Sequence, residues 1–226
     1  MPQDGFEDGF TVTTSGSLDT WVREILSKVP GAIEGYIYDQ LKLTIKDFFQ
    51  RTKAWRRFIG PFTGAANDGT ICLNPVDAYS NVIQVLQVTR DLSTLVQTDL
   101  RMLPRLVTPG QNTKTPSRFY LEPYHTIHLH PVPTDDIEDV YVTVALTPRL
   151  RTDNRIPQEV IDQHYEAIKA GCLQRLYEEP DKLYSNVEKS EYWGKRYRSE
   201  MARSRSVADQ GYGETAQPWA FPRWNM

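Results

Sequence analysis

The stretch of residues 156–211 constrains the fold most, because it reads as two long helices separated at Pro180. Pro157 can occupy the first turn of a helix, where its missing N–H has no intrahelical partner to lose. Apolar or semi-apolar residues then recur at helical spacing: Ile161, Tyr165, Ile168, Cys172 and Leu176. The pattern predicts a helix over residues 157–179 with one buried face.

The second helix of this pair mixes aromatic and charged side chains. Ser185 followed by Glu188 is typical of a capping box, which predicts a helix over residues 186–210. Its stripe of Trp193, Tyr197 and Met201 is surrounded by basic residues, and acidic residues are interleaved with them. Ion pairs one turn apart, such as Glu191 with Lys195, account for this charge pattern on a solvated helix. A nucleic-acid-binding module that uses the basic helix remains an alternative.

The N-terminal part of the chain predicts two further helices. Residues 1–17 have the composition of a flexible arm, and a short helix follows over residues 18–29. A longer helix is predicted over residues 32–55, where the spaced residues form one core face: Ile37, Leu41, Ile45, Phe48 and Thr52. The basic residues Lys53, Arg56 and Arg57 come near its end, where cations complement the helix dipole.

Between the helices, residues 58–148 have the pattern of a sheet region. Gly60-Pro61 is predicted to form a turn, and short strands are predicted over residues 70–73, 81–89, 119–121 and 126–130. The strongest strand signal is at residues 139–148, where apolar Val140, Val142 and Val144 alternate with other residues. Residues 92–117 contain several prolines and are predicted to form a loop excursion that leaves the sheet. Helices segregated from strands along the chain indicate an α+β fold, with a helical body of two N-terminal and two C-terminal helices around a central antiparallel sheet. We place the folded domain at residues 18–212.

Composition excludes several classes of protein. The formal net charge of −3 does not indicate a nucleic-acid-binding chain, and no apolar run approaches the roughly 20 residues needed to span a membrane. The two cysteines, Cys72 and Cys172, are expected to be buried free thiols.

No catalytic motif is visible, so the sequence predicts a protein that is not an enzyme and needs no cofactor or metal. Serine and cysteine residues lack the context of a nucleophile elbow, and no glycine-rich phosphate loop is present. His128 and His130 lie two apart on a predicted strand and share a face, with His125 nearby. A metal-binding or enzymatic domain that uses these three histidines is a second alternative. The His128–His130 pair alone would need a third and a fourth ligand, and the nearest acidic residues in sequence are Asp135 and Asp136.

The C-terminal segment, residues 213–226, predicts an extended tail. Its prolines prevent a helix, and its large aromatic side chains favour burial. Peptides of this type dock into grooves, on their own domain or on another subunit. The candidate anchoring residues are Pro218, Trp219, Phe221, Pro222, Arg223 and Trp224.

Several short motifs together resemble a known family. The first helix contains Trp21 and ends at Val29-Pro30-Gly31, and the hairpin contains Pro157-x-x-Val160-Ile161. Further motifs follow in the same order: Ala170-Gly171-Cys172-Leu173-x-x-Leu176-Tyr177, Tyr184-Ser185-Asn186 and Ala202-Arg203. This arrangement resembles the head-to-tail adaptor (connector, or head-completion) proteins of tailed bacteriophages over most of residues 18–210.

The resemblance implies a structural virion protein made in the host cytoplasm and located at the neck, between the capsid portal and the tail. Its implied partners are the portal protein, neighbouring copies in a ring of typically twelve, and a tail or nozzle protein. DNA would pass through the lumen without sequence-specific binding, and no membrane is involved. The tail anchors named above would bind the portal. The implied inter-subunit or helix-surface contacts are Glu191, Trp193, Lys195, Arg196, Tyr197, Arg198 and Arg203.

Overall fold

The computed structural model contains four helices and eight strands in the part of the chain that it describes. The described residues are 18–64, 68–73, 80–91, 93–99, 101, 115–123, 126–149 and 158–210, without the side chains of 64, 137 and 158–161. The helices are α1 (Leu18–Lys28), α2 (Glu34–Thr52), α3 (Gln158–Glu178) and α4 (Val187–Asp209). The four predicted helices are therefore confirmed to within a few residues at each end.

The helices form a body with its own hydrophobic core. The predicted stripe of α2 is buried along its whole length, from Ile37 to Thr52. Helix α3 packs against α2 and α4, and its Ile168, Cys172 and Leu176 are buried in the same core cluster as the apolar residues of this stripe. Gly171 allows the close approach, since a Cβ there would lie 2.7 Å from the Thr44 methyl carbon. A larger residue at position 171 would force these helices apart.

The strands form two sheets instead of the single central sheet predicted. They are β1 (Arg56–Gly64), β2 (Thr70–Cys72), β3 (Ser80–Arg90), β4 (Ser93–Thr94), β5 (Val96–Gln97), β6 (Arg118–Glu122), β7 (Thr126–His130) and β8 (Ile137–Pro148). Sheet A has the order β1-β8-β3-β4 and sheet B the order β2-β7-β6-β5. All pairs are antiparallel except β5 with β6. The α+β fold class is confirmed.

The sheets share a second core between their inner faces. Val140, Val142 and Val144 of β8 are fully buried, which confirms the alternation read from the sequence. Phe119, Ile127 and Leu129 of sheet B belong to the same buried cluster. The two sheets therefore pack as one sandwich.

Two predictions in the sheet region are wrong. The Gly60-Pro61 pair does not form a turn but lies inside β1, an edge strand of sheet A. One register shift spans Gly60-Pro61, between Ile59 and Phe62, and a second lies between Phe62 and Gly64. Proline is tolerated there because an edge strand does not need every N–H. The start of the predicted excursion does not leave the sheets, since β4 joins β3 and β5 joins β6. The tip of that excursion lies outside the described residues.

Trp55 connects the helical body to the sheets. Its carbonyl accepts a hydrogen bond from the Leu146 N–H of β8 at 2.8 Å, and its ring lies 6.1 Å from that of Phe49. The side chain packs against both hydrophobic cores. Next to it, the Arg56 Nε donates to the Lys53 carbonyl at the end of α2, as expected for a cation at a helix C-terminus.

Two local predictions also need correction. The cap of α4 is Asn186, whose side chain accepts from the Lys189 N–H at 2.8 Å, and not Ser185. Cys72 is exposed, because it lies on the outer face of the three-residue strand β2, whereas Cys172 is buried as predicted.

Candidate assembly surfaces

Helix α4 is attached to the body by one buried face. Tyr197 is only 5 % exposed, and its hydroxyl donates to the Asp47 Oδ2 of α2 at 3.2 Å. Burial and the neighbouring Asp47 carboxylate raise the pKa of Tyr197. Gly194 lets the Gln174 side chain of α3 pack closely against the helix. Tyr197, predicted to lie at a helix surface or subunit contact, is thus a core residue of its own chain.

A charge network on the flank of the body pairs another of the predicted contact residues. The nearly buried Lys169 ammonium donates to Glu24 at 2.9 Å and to Glu166 at 2.7 Å, joining α3 to α1. Arg196 of α4 pairs with the other oxygen of Glu166 at 2.9 Å. The hydrogen bond from Lys169 lowers the pKa of Glu166. Arg196 therefore already has a partner within its own chain.

Most of the other α4 residues that were predicted to contact another subunit lie at the surface of the helical body. Glu191, Lys195, Arg198 and Arg203 are exposed, and none of them forms an ion pair with any residue the structure describes. The predicted pair of Glu191 with Lys195 is therefore not formed. Trp193 is half-buried beneath the cations of Lys28 and Arg196, each 5.5 Å from its ring. Contact with another subunit remains a prediction for these residues.

The C-terminal end of α4 is held in a fixed position. Arg56 of β1 pairs with the Asp209 carboxylate in the last turn of the helix. The Arg205 guanidinium donates to the Arg51 carbonyl at the end of α2 at 2.6 Å. The chain therefore leaves the folded body from one defined point, next to β1. The predicted tail, including residues 218–224, lies outside the described residues, as does the predicted arm at residues 1–17.

At the opposite end of the body, four helix termini meet. The Tyr177 hydroxyl donates to the Lys28 carbonyl at 2.8 Å, and the Asn186 N–H donates to the Tyr177 carbonyl at 3.0 Å. The Tyr36 hydroxyl donates to Glu179, and burial together with this carboxylate raises the pKa of Tyr36 to about 12. These contacts fix the α1–α2 and α3–α4 connections side by side.

The predicted histidine site is not assembled as a metal centre. His128 lies on the outer face of sheet B, stacked on Tyr120 at 4.8 Å. Its Nε2 is 3.1 Å from a Glu122 oxygen, close enough for charge pairing but without hydrogen-bond alignment, and Thr70 faces its Nδ1 at 3.3 Å. His125 lies outside the described residues. Within the described part, no three potential ligand residues are grouped to hold a metal ion.

One buried histidine was missed by sequence reasoning. His164 of α3 is 6 % exposed and packs against the rings of Phe48 and Phe49, with centroids 5.0 and 5.9 Å away. Burial lowers its pKa to about 4. Its position four residues before Ile168, on the apolar stripe of α3, was the available signal. This histidine is a neutral core residue.

Cys172 of α3 is a second buried titratable residue with a packing role. The Cys172 thiol, whose pKa burial raises to about 12, is also enclosed by core residues. None of the described helices has the length and apolar character needed to cross a membrane.

The sequence matches the family profile of the SU10 adaptor protein over residues 14–219, and the chain belongs to this family. No curated protein matches the chain. Membership identifies a phage adaptor, a structural protein located in the virion that interacts with other head and tail proteins. It confirms the resemblance inferred from the sequence.

Proposed function

We propose that the chain forms a ring between the capsid portal and the tail, at the neck of the virion. The ring would consist of identical copies, typically twelve, and genomic DNA would pass through its lumen during ejection without sequence-specific binding. A tail or nozzle protein would bind on the far side. The observation that carries this proposal is membership of the SU10 adaptor family over 14–219, since an adaptor joins one part of the particle to another.

Portal binding is assigned to the C-terminal segment, residues 213–226. The helix that precedes it is fixed to β1 and α2 through Asp209 and Arg205, so the segment starts from a constant position in every copy. A constant origin reduces the conformational entropy that is lost on binding. Trp219, Phe221 and Trp224 would supply the apolar anchors. Each of these aromatic side chains would bury roughly 150 Å² or more of its surface when docked on the portal.

Deletion of residues 214–226 tests this assignment by co-sedimentation with purified portal rings of the same phage. We expect the deletion to abolish binding, and the melting temperature of the variant checks that its helical body still folds. The triple variant Trp219→Ser, Phe221→Ser, Trp224→Ser should weaken binding by at least about 100-fold, since aromatic anchors dominate such interfaces. Tyr212→Ser is the matched control and should bind normally. Undiminished portal binding by the deletion variant would overturn the assignment.

A further inference from the structure

Two aromatic side chains lie exposed on the outer face of sheet A, next to the C-terminal end of α4. Phe58 of β1 is 63 % exposed, and its ring stacks on that of Tyr141 in β8, with centroids 5.0 Å apart and planes 7° from parallel. We call these two residues the aromatic platform. Their neighbours Ile59 and Val142 point to the opposite face, into the core between the sheets. The platform therefore belongs to the face of sheet A that is turned away from sheet B.

Gly60 allows the Tyr141 ring to lie close against the backbone of β1. Its φ is +138°, a conformation that residues with a side chain rarely adopt. A Cβ at this position would lie 2.9 Å from the Tyr141 Cδ1 and 2.7 Å from the Val140 carbonyl oxygen. The Tyr141 ring thus contacts Gly60 as well as Phe58. A ring that is packed in this way loses little further freedom when a partner binds to the platform.

The C-terminal segment leaves the folded body beside the aromatic platform. Arg56 precedes Phe58 by two residues on β1, so both side chains project from the same side of the strand. Arg56 pairs with Asp209 in the last turn of α4, and it lies only about 7 Å along the strand from Phe58. Trp219 follows the end of the helix by about ten residues, which can extend to roughly 30 Å. The aromatic residues of the tail can therefore reach the platform easily.

The tail of the same chain is the occupant that this position favours. Its Trp219, Phe221 and Trp224 are large aromatic side chains, which stack well on other aromatic rings. Because the tail is attached close to the platform, its effective concentration there is on the order of millimolar for a short linker. A second copy or another protein would have to reach that concentration in solution to compete. Attachment beside the platform therefore selects the chain's own tail.

We propose that, in the unassembled subunit, the aromatic side chains of the tail pack on the Phe58–Tyr141 platform of their own chain and leave it when the portal binds. This self-contact would shield apolar surface that otherwise faces water in the free subunit. The same side chains serve both contacts, so the two contacts exclude each other. Docking of the tail on its own chain therefore lowers the apparent affinity for the portal. The inference rests on the proposed role of the tail in portal binding and gives the tail a second position.

Photo-cross-linking of the purified full-length chain tests the self-contact without the portal. Phe221 is replaced by p-benzoylphenylalanine, and the cross-linked peptides are mapped by mass spectrometry after irradiation. We expect cross-links within one chain to residues 56–62 or 138–145. The matched control carries the same group at Leu183, which is fully exposed at the other end of the helical body, and should give no cross-link to these strands. Cross-links from position 221 that join two chains, that reach only other parts of the chain, or that do not form would refute the self-contact.

The substitution Phe58→Ser provides the second measurement. It should lower the yield of cross-links from position 221 and should tighten binding to purified portal rings at least about threefold. A threefold change corresponds to a tail that is docked on its own chain in about two thirds of the wild-type copies. Leu43→Ser, at a half-exposed position in the middle of α2, is the control and should change neither quantity. Melting temperatures check that both variants fold.

The two measurements separate this inference from the proposed function. A Phe58→Ser variant with the wild-type cross-link yield, or with the wild-type affinity for the portal, would refute the self-contact. Wild-type chain that does not bind portal rings at all would refute portal binding by the tail, while the cross-links decide on the self-contact in the absence of the portal.

Discussion

Acidification should destabilise the folded chain through His164. The pKa of this side chain is about 4 in the folded state, because it is enclosed by Phe48 and Phe49, and about 6.5 in an unfolded chain. Between these values the unfolded chain holds a proton that the folded chain lacks. Stability therefore rises with pH in this window; the contribution is fully present above about pH 6.5 and is lost as the pH falls to about 4.

The size of the effect follows from the two pKa values. The difference between the two pKa values lowers the free energy of unfolding by about 3 kcal/mol over the whole window, at roughly 1.4 kcal/mol per pH unit. Between pH 7 and pH 4.5 the free energy of unfolding falls by about 2.5 kcal/mol. The substitution His164→Gln removes the titrating group, so the variant should lose that much less stability between the same two pH values.

Urea denaturation followed by far-UV circular dichroism measures this difference. The comparison is between wild type and variant at each pH, which cancels the contributions of carboxylates that both proteins share. Ser204→Ala is the control: it removes the hydroxyl 3.4 Å from the His164 Nδ1 and leaves the aromatic enclosure intact. This variant should keep the wild-type pH dependence. If His164→Gln lost stability as steeply as wild type on acidification, the burial argument would be refuted.

The packing of the helical core predicts the effects of two glycine substitutions and the reactivity of the two cysteines. Gly171→Ala should lower the free energy of unfolding by about 1–3 kcal/mol in the same assay, because the new methyl group would lie 2.7 Å from the Thr44 methyl carbon. Gly35→Ala is the control: its new methyl group would lie in open space, so the free energy of unfolding should change by less than about 1 kcal/mol. Equal effects of the two would contradict the proposed helix packing. A thiol reagent at pH 7.5 should label only Cys72 in the folded protein, and Cys172 should be labelled only in denaturant. Rapid labelling of both in the native state would show that the α3 core opens.

Much of the helical body could be predicted because its signals are local. The α2 stripe from Ile37 to Thr52 and the α3 stripe from Ile168 to Leu176 follow the helical period, and both are buried. The predicted cap of α4 is wrong by a single residue. Ser185 and Asn186 are both good caps, and only the backbone geometry decides which one accepts the Lys189 N–H.

The arrangement of the strands was harder to predict from the sequence, since it depends on pairing between distant parts of the chain. Gly60-Pro61 has the composition of a turn, yet pairing with β8 places it within a strand. In a strand as short as β2, the side on which Cys72 lies depends on its partner β7, and periodicity cannot decide it.

The assembly surfaces required the tertiary fold. The resemblance implied a contact role for Arg196 and Tyr197, but one pairs with Glu166 and the other is buried against α2. Local sequence reasoning has no means of bringing these side chains together, because they come from separate parts of the chain.

If this adaptor joins portal to tail as a closed ring, a cryo-electron microscopy reconstruction of the virion neck will show that ring. We expect a ring of this chain between portal and tail, with residues 218–224 in contact with the portal. A neck in which another protein occupies that position, with this chain elsewhere in the particle, would contradict it.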